Sequence, residues 1–132
     1  QYIKNKKPKY LVNCVGTLVE SSINKPSLAI QTNSLLPHFL NEISEKYNFK
    51  LIHISTDCVF SGSKGNYVEG DAPDSQDLYG RSKTLGEIVD ENHLTIRTST
   101  IGHEHTTKFG LLEWLCAGCH PLNKYHHAAE VG

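Results

Sequence analysis

Apolar residues along this chain alternate between short unbroken runs and spacings of three and four. Tyr10-Leu11-Val12-Asn13-Cys14-Val15-Gly16 is a short run closed by glycine, which predicts a strand buried on both faces. From Leu28 to Asn48 the residues Leu36, Leu40, Ile43 and Tyr47 recur at steps of four, three and four, a helical period, with Ser27 placed to cap its start. Pro37 lies inside that helix and brings no backbone donor, so the helix should bend near Asn33 or divide there. Leu51 to Ser55 predicts the next strand. Cys58 to Leu78, rich in glycine, aspartate and proline, reads as a long loop, either functional or a flexible surface excursion. A second helix is expected from about Leu78 to Asn92, with Leu85, Ile88 and Val89 on one side, followed by a strand over Leu94 to Thr98. Phe109 to Leu115 fits a short amphipathic helix in which Trp114 packs. After Leu115 the periodic pattern fails.

Strand, helix, strand, helix, strand is half of a doubly wound parallel sheet, because each crossover helix returns the chain to start a parallel strand. The expected fold class is therefore α/β, a partial Rossmann-type doubly wound parallel sheet. Residues 1–102 would form the C-terminal half of a nucleotide-binding domain, and residues 103–132 the start of a substrate domain or a divergent tail. Such sheets hold a dinucleotide's pyrophosphate on a glycine-rich turn after their first strand. No G-x-G-x-x-G turn occurs here, so the chain reads as a fragment whose missing N-terminal part spans roughly 50 to 70 residues, about two βα units. Without that cradle the polypeptide is expected to be inactive alone.

Composition narrows the partners. With 38% hydrophobic residues and a formal net charge of -1 over 132 residues, the chain has no broad field for nucleic acid or anionic lipid. No apolar run approaches the roughly 18 residues of a membrane span, and the first residues lack a signal-peptide core. A cytoplasmic location is the expectation. Cys14 and Cys58 lie within or just after expected strands and read as small buried side chains, and free thiols are expected throughout. Cys116-Ala117-Gly118-Cys119-His120 matches a c-type haem attachment pattern but lacks an export signal. His126 and His127 are adjacent, so they cannot face one ion as an i, i+4 pair does, and no metal is expected.

The candidate chemistry sits at Tyr79-Gly80-Arg81-Ser82-Lys83. A tyrosine and a lysine four apart on a helix leave the same face and converge on one substrate atom. A phenol has a reference pKa of about 10, and a neighbouring ammonium draws it down toward a usable general acid. Tyr2 and Lys6 repeat the spacing, but no strand precedes them; Tyr79 follows a strand ending in the hydroxyls and carboxylate of Ser55, Thr56 and Asp57.

Taken in order, Val12-Asn13-Cys14-Val15-Gly16, Asn33 with Leu36-Pro37-His38, Ile54-Ser55-Thr56-Asp57-Cys58-Val59-Phe60-Ser61-Gly62, Tyr79-Gly80-Arg81-Ser82-Lys83 and Arg97-Thr98-Ser99 resemble the extended short-chain dehydrogenase/reductases. Within that superfamily they are most similar to the dTDP-4-dehydrorhamnose reductase-like enzymes, over Tyr10 to about Leu115. The resemblance implies a reductase of a nucleotide-linked 4-keto-6-deoxy sugar that uses NADPH or NADH, with a homodimer as a candidate assembly. It implies a catalytic triad of Thr56, Tyr79 and Lys83. Tyr79 would protonate the carbonyl oxygen, Thr56 would hydrogen-bond it, and Lys83 would lower the tyrosine pKa and bind the nicotinamide ribose. Cys14, Val15 and Gly16 would lie along the cofactor, and Asp57, Arg97 and Ser99 would contact substrate. Asn33 resembles a family asparagine and reads first as structural. Arg97 fits either a substrate phosphate or a strand-end ion pair. Thr100 stands where rhamnose-forming relatives resemble one another in having an aromatic residue, which departs from the pattern. Two rival functions share these features: a sugar-nucleotide epimerase or dehydratase, with Asp57 as the extra acid or base, and a non-catalytic regulatory subunit on the same fold.

Overall fold

The computed structural model describes residues 2–99 together with Ile101 and Leu112. The chain divides into two compact units, Gln1–Thr98 and Ser99–Gly132. Apart from Leu112, the helix expected over Phe109 to Leu115 lies outside the described residues, as do Thr100, Cys116, Cys119 and the histidines of the tail.

In the first unit the elements run α1 (Tyr2–Lys6), β1 (Tyr10–Asn13), α2 (Val19–Asn24), α3 (Pro26–Ala29), a π-helical turn (Ile30–Leu35), α4 (Leu36–Tyr47), β2 (Lys50–Ile54), a 3-10 turn (Asp57–Val59), α5 (Leu78–Leu85) and β3 (Leu94–Ile96). The three strands form one parallel sheet in the order β1-β2-β3, with Leu11 opposite Leu51, Asn13 opposite His53 and Ile54 opposite Ile96. This is a partial Rossmann-type α/β fold, as expected.

Partnered residues in a parallel register share a face. Leu11, Asn13, Leu51, His53 and Thr95 face one way, where Phe49, Leu51 and Ile88 make the core and Leu11, Leu40, Ile43 and Tyr47 pack against it. The helical period thus identified the buried stripe of α4. Tyr10, Val12, Ile52, Ile54, Leu94 and Ile96 face the other way. There Tyr10 is 60% and Val12 55% exposed, so β1 is not buried on both faces: it is an edge strand, covered on one side among the described residues.

Pro37 explains the middle of the long helix. Its missing N–H deprives the carbonyl four residues back, that of Asn33, of a helical donor, and the chain passes through a π-turn over Ile30–Leu35 instead of breaking. Ser27 does not cap this helix. It begins at Pro26, with Lys25 at the N-cap, and ends where Asn48 takes a left-handed φ of 52°.

The second helix is shorter than its apolar spacing suggested. It stops at Leu85, and its C-cap Gly86 packs closely on the Asn33 carbonyl, where a β-carbon would sit 1.8 Å from the oxygen. The chain then turns at once, with the Asp90 carboxylate accepting from the amides of Asn92 and His93. Only Ile88 of the expected stripe is buried; Leu85 and Val89 are exposed.

Candidate functional site

The site is built where β2 ends and α5 begins. Asp77 caps α5, its carboxylate accepting from the Gly80 amide at 2.9 Å, and this places Tyr79 in the first turn with Lys83 one turn later. Gly80 is obligatory there, since a β-carbon would lie 2.3 Å from the Cys58 carbonyl oxygen. The strand delivers Thr56 in extended conformation. Its hydroxyl accepts from the Cys58 amide at 3.2 Å, opening the 3-10 turn, and donates to the Asp57 carboxylate at 3.3 Å.

The Tyr79 phenol is half-buried beside Thr56. Burial pushes the Tyr79 pKa up; the nearby Thr56 hydroxyl opposes this, and Cys58, Asp57 and Asp77 push it further up. The expectation that the Lys83 ammonium draws the phenol down is therefore not met. Lys83 is 5% exposed, donates to the Ile54 carbonyl at 2.7 Å, and has its own pKa lowered by burial against the opposing charge of Glu87.

The segment Cys14, Val15 and Gly16 follows β1 and is exposed, with the Val15 amide bonded to the Asn13 side chain at 3.2 Å. A β-carbon on Gly16 would lie 3.9 Å from the Lys83 ammonium, so this loop and Lys83 are neighbours. Cys14 and Cys58 are free thiols, but both are exposed rather than buried: each sits just past a strand end, where the side chain leaves the core.

Behind the triad lies a polar scaffold. Asn33, fully buried in the π-turn, accepts from the Thr17 amide at 2.7 Å and donates to the Thr17 carbonyl and the Ser82 hydroxyl, each at 3.0 Å. It thus ties the loop after β1 to α5. Arg97 pairs with Glu87 through two bonds of 2.9 and 2.8 Å, reaches the Glu69 carbonyl at 3.3 Å and lies over the Phe60 ring. Asp57 and Arg97 line one cleft of about 480 Å³ together with Cys58, Phe60 and Tyr67. Ser99 is exposed and belongs to the other unit.

The loop between Val59 and Asp77 is internally bonded rather than loose. Asp74 accepts from the Ser61 amide and hydroxyl and from the Tyr67 hydroxyl, and Phe60 stacks on Tyr67 with ring centroids 4.3 Å apart. The composition gave no hint of this, because the bonds join residues six to 13 apart in a segment without period. Asp77 was recoverable from its place just before the helix; the Glu87 pairing was not. Among the described residues no cluster of metal-ligating side chains occurs and no helix is long and apolar enough to cross a membrane.

The family described as RmlD substrate binding domain matches residues 1–112. A probable low-salt glycan biosynthesis reductase of Haloferax volcanii is 38% identical over 79 residues, covering 58% of this chain and 26% of the relative. A dTDP-4-dehydrorhamnose reductase of Aggregatibacter actinomycetemcomitans is 31% identical over 109 residues, covering 78% and 37%. Among solved structures, a hypothetical dTDP-4-dehydrorhamnose reductase from Sulfolobus tokodaii superposes with a TM-score of 0.69 at 32% identity, covering 73% of this chain and 36% of that one. The Bacillus anthracis dTDP-4-dehydrorhamnose reductase in complex with NADP gives 0.66 at 26%, with 73% and 36% covered. The chain spans between about a quarter and two fifths of the length of these proteins.

Proposed function

We propose, from the premise that this chain belongs to the RmlD substrate-binding domain family, that it carries the proton-transfer centre of an NAD(P)H-dependent reductase of a nucleotide-linked 4-keto-6-deoxy sugar. The observation that carries this reading is the convergence of three side chains. The Thr56 hydroxyl lies beside the Tyr79 phenol, and Lys83 stands one turn along the same helix beside the exposed Cys14-Val15-Gly16 segment.

These residues fit the nicotinamide end of such a cofactor. Gly16 leaves open the space next to the Lys83 ammonium that a side chain would fill, and Lys83 offers its donors to a ribose hydroxyl. NADPH is the first choice, since a similar structure is a complex with NADP. When bound, the cofactor supplies the hydride. Tyr79 gives its proton to the carbonyl oxygen while Thr56 holds that oxygen by a hydrogen bond. A phenol raised by burial arrives fully protonated at neutral pH, which suits the acid role in reduction. Asp57 and Arg97 present a carboxylate and a guanidinium to the cleft beside the triad, where a hydroxylated, phosphate-bearing substrate finds partners. Such a reaction belongs in the cytoplasm, where nucleotide sugars and reduced cofactor meet.

Tyr79→Phe in the complete protein tests the reading. Reduction of dTDP-4-dehydrorhamnose or a related keto sugar should be lost, with NADPH affinity changed less than about threefold. Unchanged turnover would sink the assignment, and a wild-type protein that binds partner enzymes but reduces nothing would replace it with a regulatory role.

A further inference from the structure

The carboxylate of Glu87 is the meeting point of three chain segments. It stands just past the end of α5, one helical turn beyond Lys83, and its side chain is 5% exposed. One oxygen accepts from the Ser55 hydroxyl at 2.8 Å and from Arg97 Nε at 2.9 Å; the other accepts from Arg97 Nη2 at 2.8 Å. Ser55 immediately precedes Thr56, and its amide donates to the Ile96 carbonyl at 2.8 Å, so the ends of β2 and β3 are joined at this point. Arg97 carries the tie onward to the Glu69 carbonyl and the Phe60 ring. A buried carboxylate held by a bidentate guanidinium and a hydroxyl has little freedom to move.

We propose that Glu87 is a positioning residue for the reduction: it locks the strand end that bears Thr56 to the helix that bears Tyr79 and Lys83, so that hydroxyl and phenol address one carbonyl oxygen. The proposal rests on the function given above. Glu87 touches neither substrate nor cofactor in it, and acts through Ser55, Arg97 and the charge it presents to Lys83. That charge has a consequence for pH. Burial draws the Lys83 pKa down and Glu87 opposes it, so removing the anion lets Lys83 lose its proton at lower pH. The other charged or titratable groups facing this cluster are Arg97 after β3, His53 on β2, His38 on α4, and Asp57 and Asp77 beside Tyr79. His53 is held neutral above about pH 4 by burial, and the His38 ring bonds the Leu85 carbonyl.

The test compares Glu87→Gln, Glu87→Asp and Tyr79→Phe in the complete protein, reading kcat, KM, NADPH affinity and the pH profile of kcat. In Glu87→Gln, kcat should fall about 10- to 100-fold while KM and NADPH affinity stay within about threefold. The alkaline limb of its kcat profile should move to lower pH, and Glu87→Asp, which keeps the charge, should hold that limb near its wild-type place. A folded Glu87→Gln with wild-type kcat and pH profile, beside a dead Tyr79→Phe, overturns the positioning role alone. A Tyr79→Phe protein that still turns over means that the proposed function itself has failed, and the positioning role with it. If Glu87→Gln does not fold, Ser55→Ala decides, since it removes one of the three bonds: a lower kcat with intact NADPH affinity supports the role, and an unchanged kcat overturns it.

Discussion

Asn33→Ala is the sharpest test of how the fold supports the site. The side chain is fully buried and makes three bonds that alanine cannot replace. The losses are unequal. Ser82 keeps its bond to the Tyr79 carbonyl at 2.9 Å, and the Thr17 carbonyl keeps a long contact of 3.4 Å from the Ser22 hydroxyl. The Thr17 amide loses its acceptor inside the protein. An orphaned buried amide costs about 1 to 3 kcal/mol, and the space left by the side-chain amide adds about 1, for a total of about 2 to 4 kcal/mol. In a domain of ordinary size that lowers Tm by about 5 to 15 °C. Asn33→Asp sharpens the reasoning. It retains an acceptor for the Thr17 amide but turns a carboxylate toward the Thr17 carbonyl, so it should melt low at pH 7.5 and recover toward pH 5.5 as the acid protonates and donates. Thermal melts of the complete protein followed by circular dichroism measure both effects. An Asn33→Ala melt within about 1 °C of wild type would refute the argument, because it would place the bond energy below about 0.5 kcal/mol.

Three further outcomes follow from single contacts. Gly80→Ala should destabilise by at least about 1 to 3 kcal/mol in urea unfolding, because its β-carbon meets Ser75 Oγ at 2.2 Å and the Cys58 backbone at 2.3 Å; wild-type stability would show that this approach is not tight. Asp77→Ala removes the cap of the helix that carries Tyr79 and should cost about 1 kcal/mol in the same assay, and no change in midpoint would count against the cap. His53, with its pKa lowered to about 4 by burial, takes up its proton more readily when unfolded, where the value is 6.5. Its contribution is therefore complete above pH 6.5 and is lost as pH falls toward 4, by at most about 3 kcal/mol. His53→Gln should flatten that part of the stability curve, and a slope equal to the wild type's would exclude His53 as its source.

The strands and the buried stripe of α4 were legible because they follow period rules: Leu40, Ile43 and Tyr47 repeat every turn, and all three reach the core. The triad was legible for a related reason, since a spacing of four on a helix is local information. What escaped was non-local. Leu85, Ile88 and Val89 look like one helical stripe, yet the helix ends at Leu85, and its C-cap Gly86 packs on Asn33, more than 50 positions earlier, too closely for any β-carbon. The exposure of Cys14 and Cys58 escaped because each lies one or a few residues beyond a strand end, and boundary errors of that size invert a burial assignment. The direction of the Tyr79 shift escaped as well. Spacing shows that Lys83 is near, but not that its ammonium is committed to the Ile54 carbonyl while burial acts on the phenol.

The described core explains why this site leans on hydrogen bonds for its geometry. Among the described residues five apolar side chains are buried, against eleven polar or charged ones, and most of the latter lie at or behind the triad. Apolar burial is non-directional, and a small core of Phe49, Leu51 and Ile88 leaves the end of β2 free to shift relative to α5. Hydrogen bonds between buried groups do not leave that freedom, since moving one partner strands the other away from water. Asn33 fixes α5, at Ser82, to the loop beside Lys83, and Glu87 fixes the chain just past the same helix to Ser55 and Arg97 at the ends of β2 and β3. Both ties hold the C-terminal half of one short helix, so losing either lets the helix tilt about the one that remains. A tilt of this kind changes the Thr56 to Tyr79 distance while leaving the apolar contacts intact, and for that reason substitutions at Asn33 and Glu87 should depress turnover more than their effect on Tm alone accounts for.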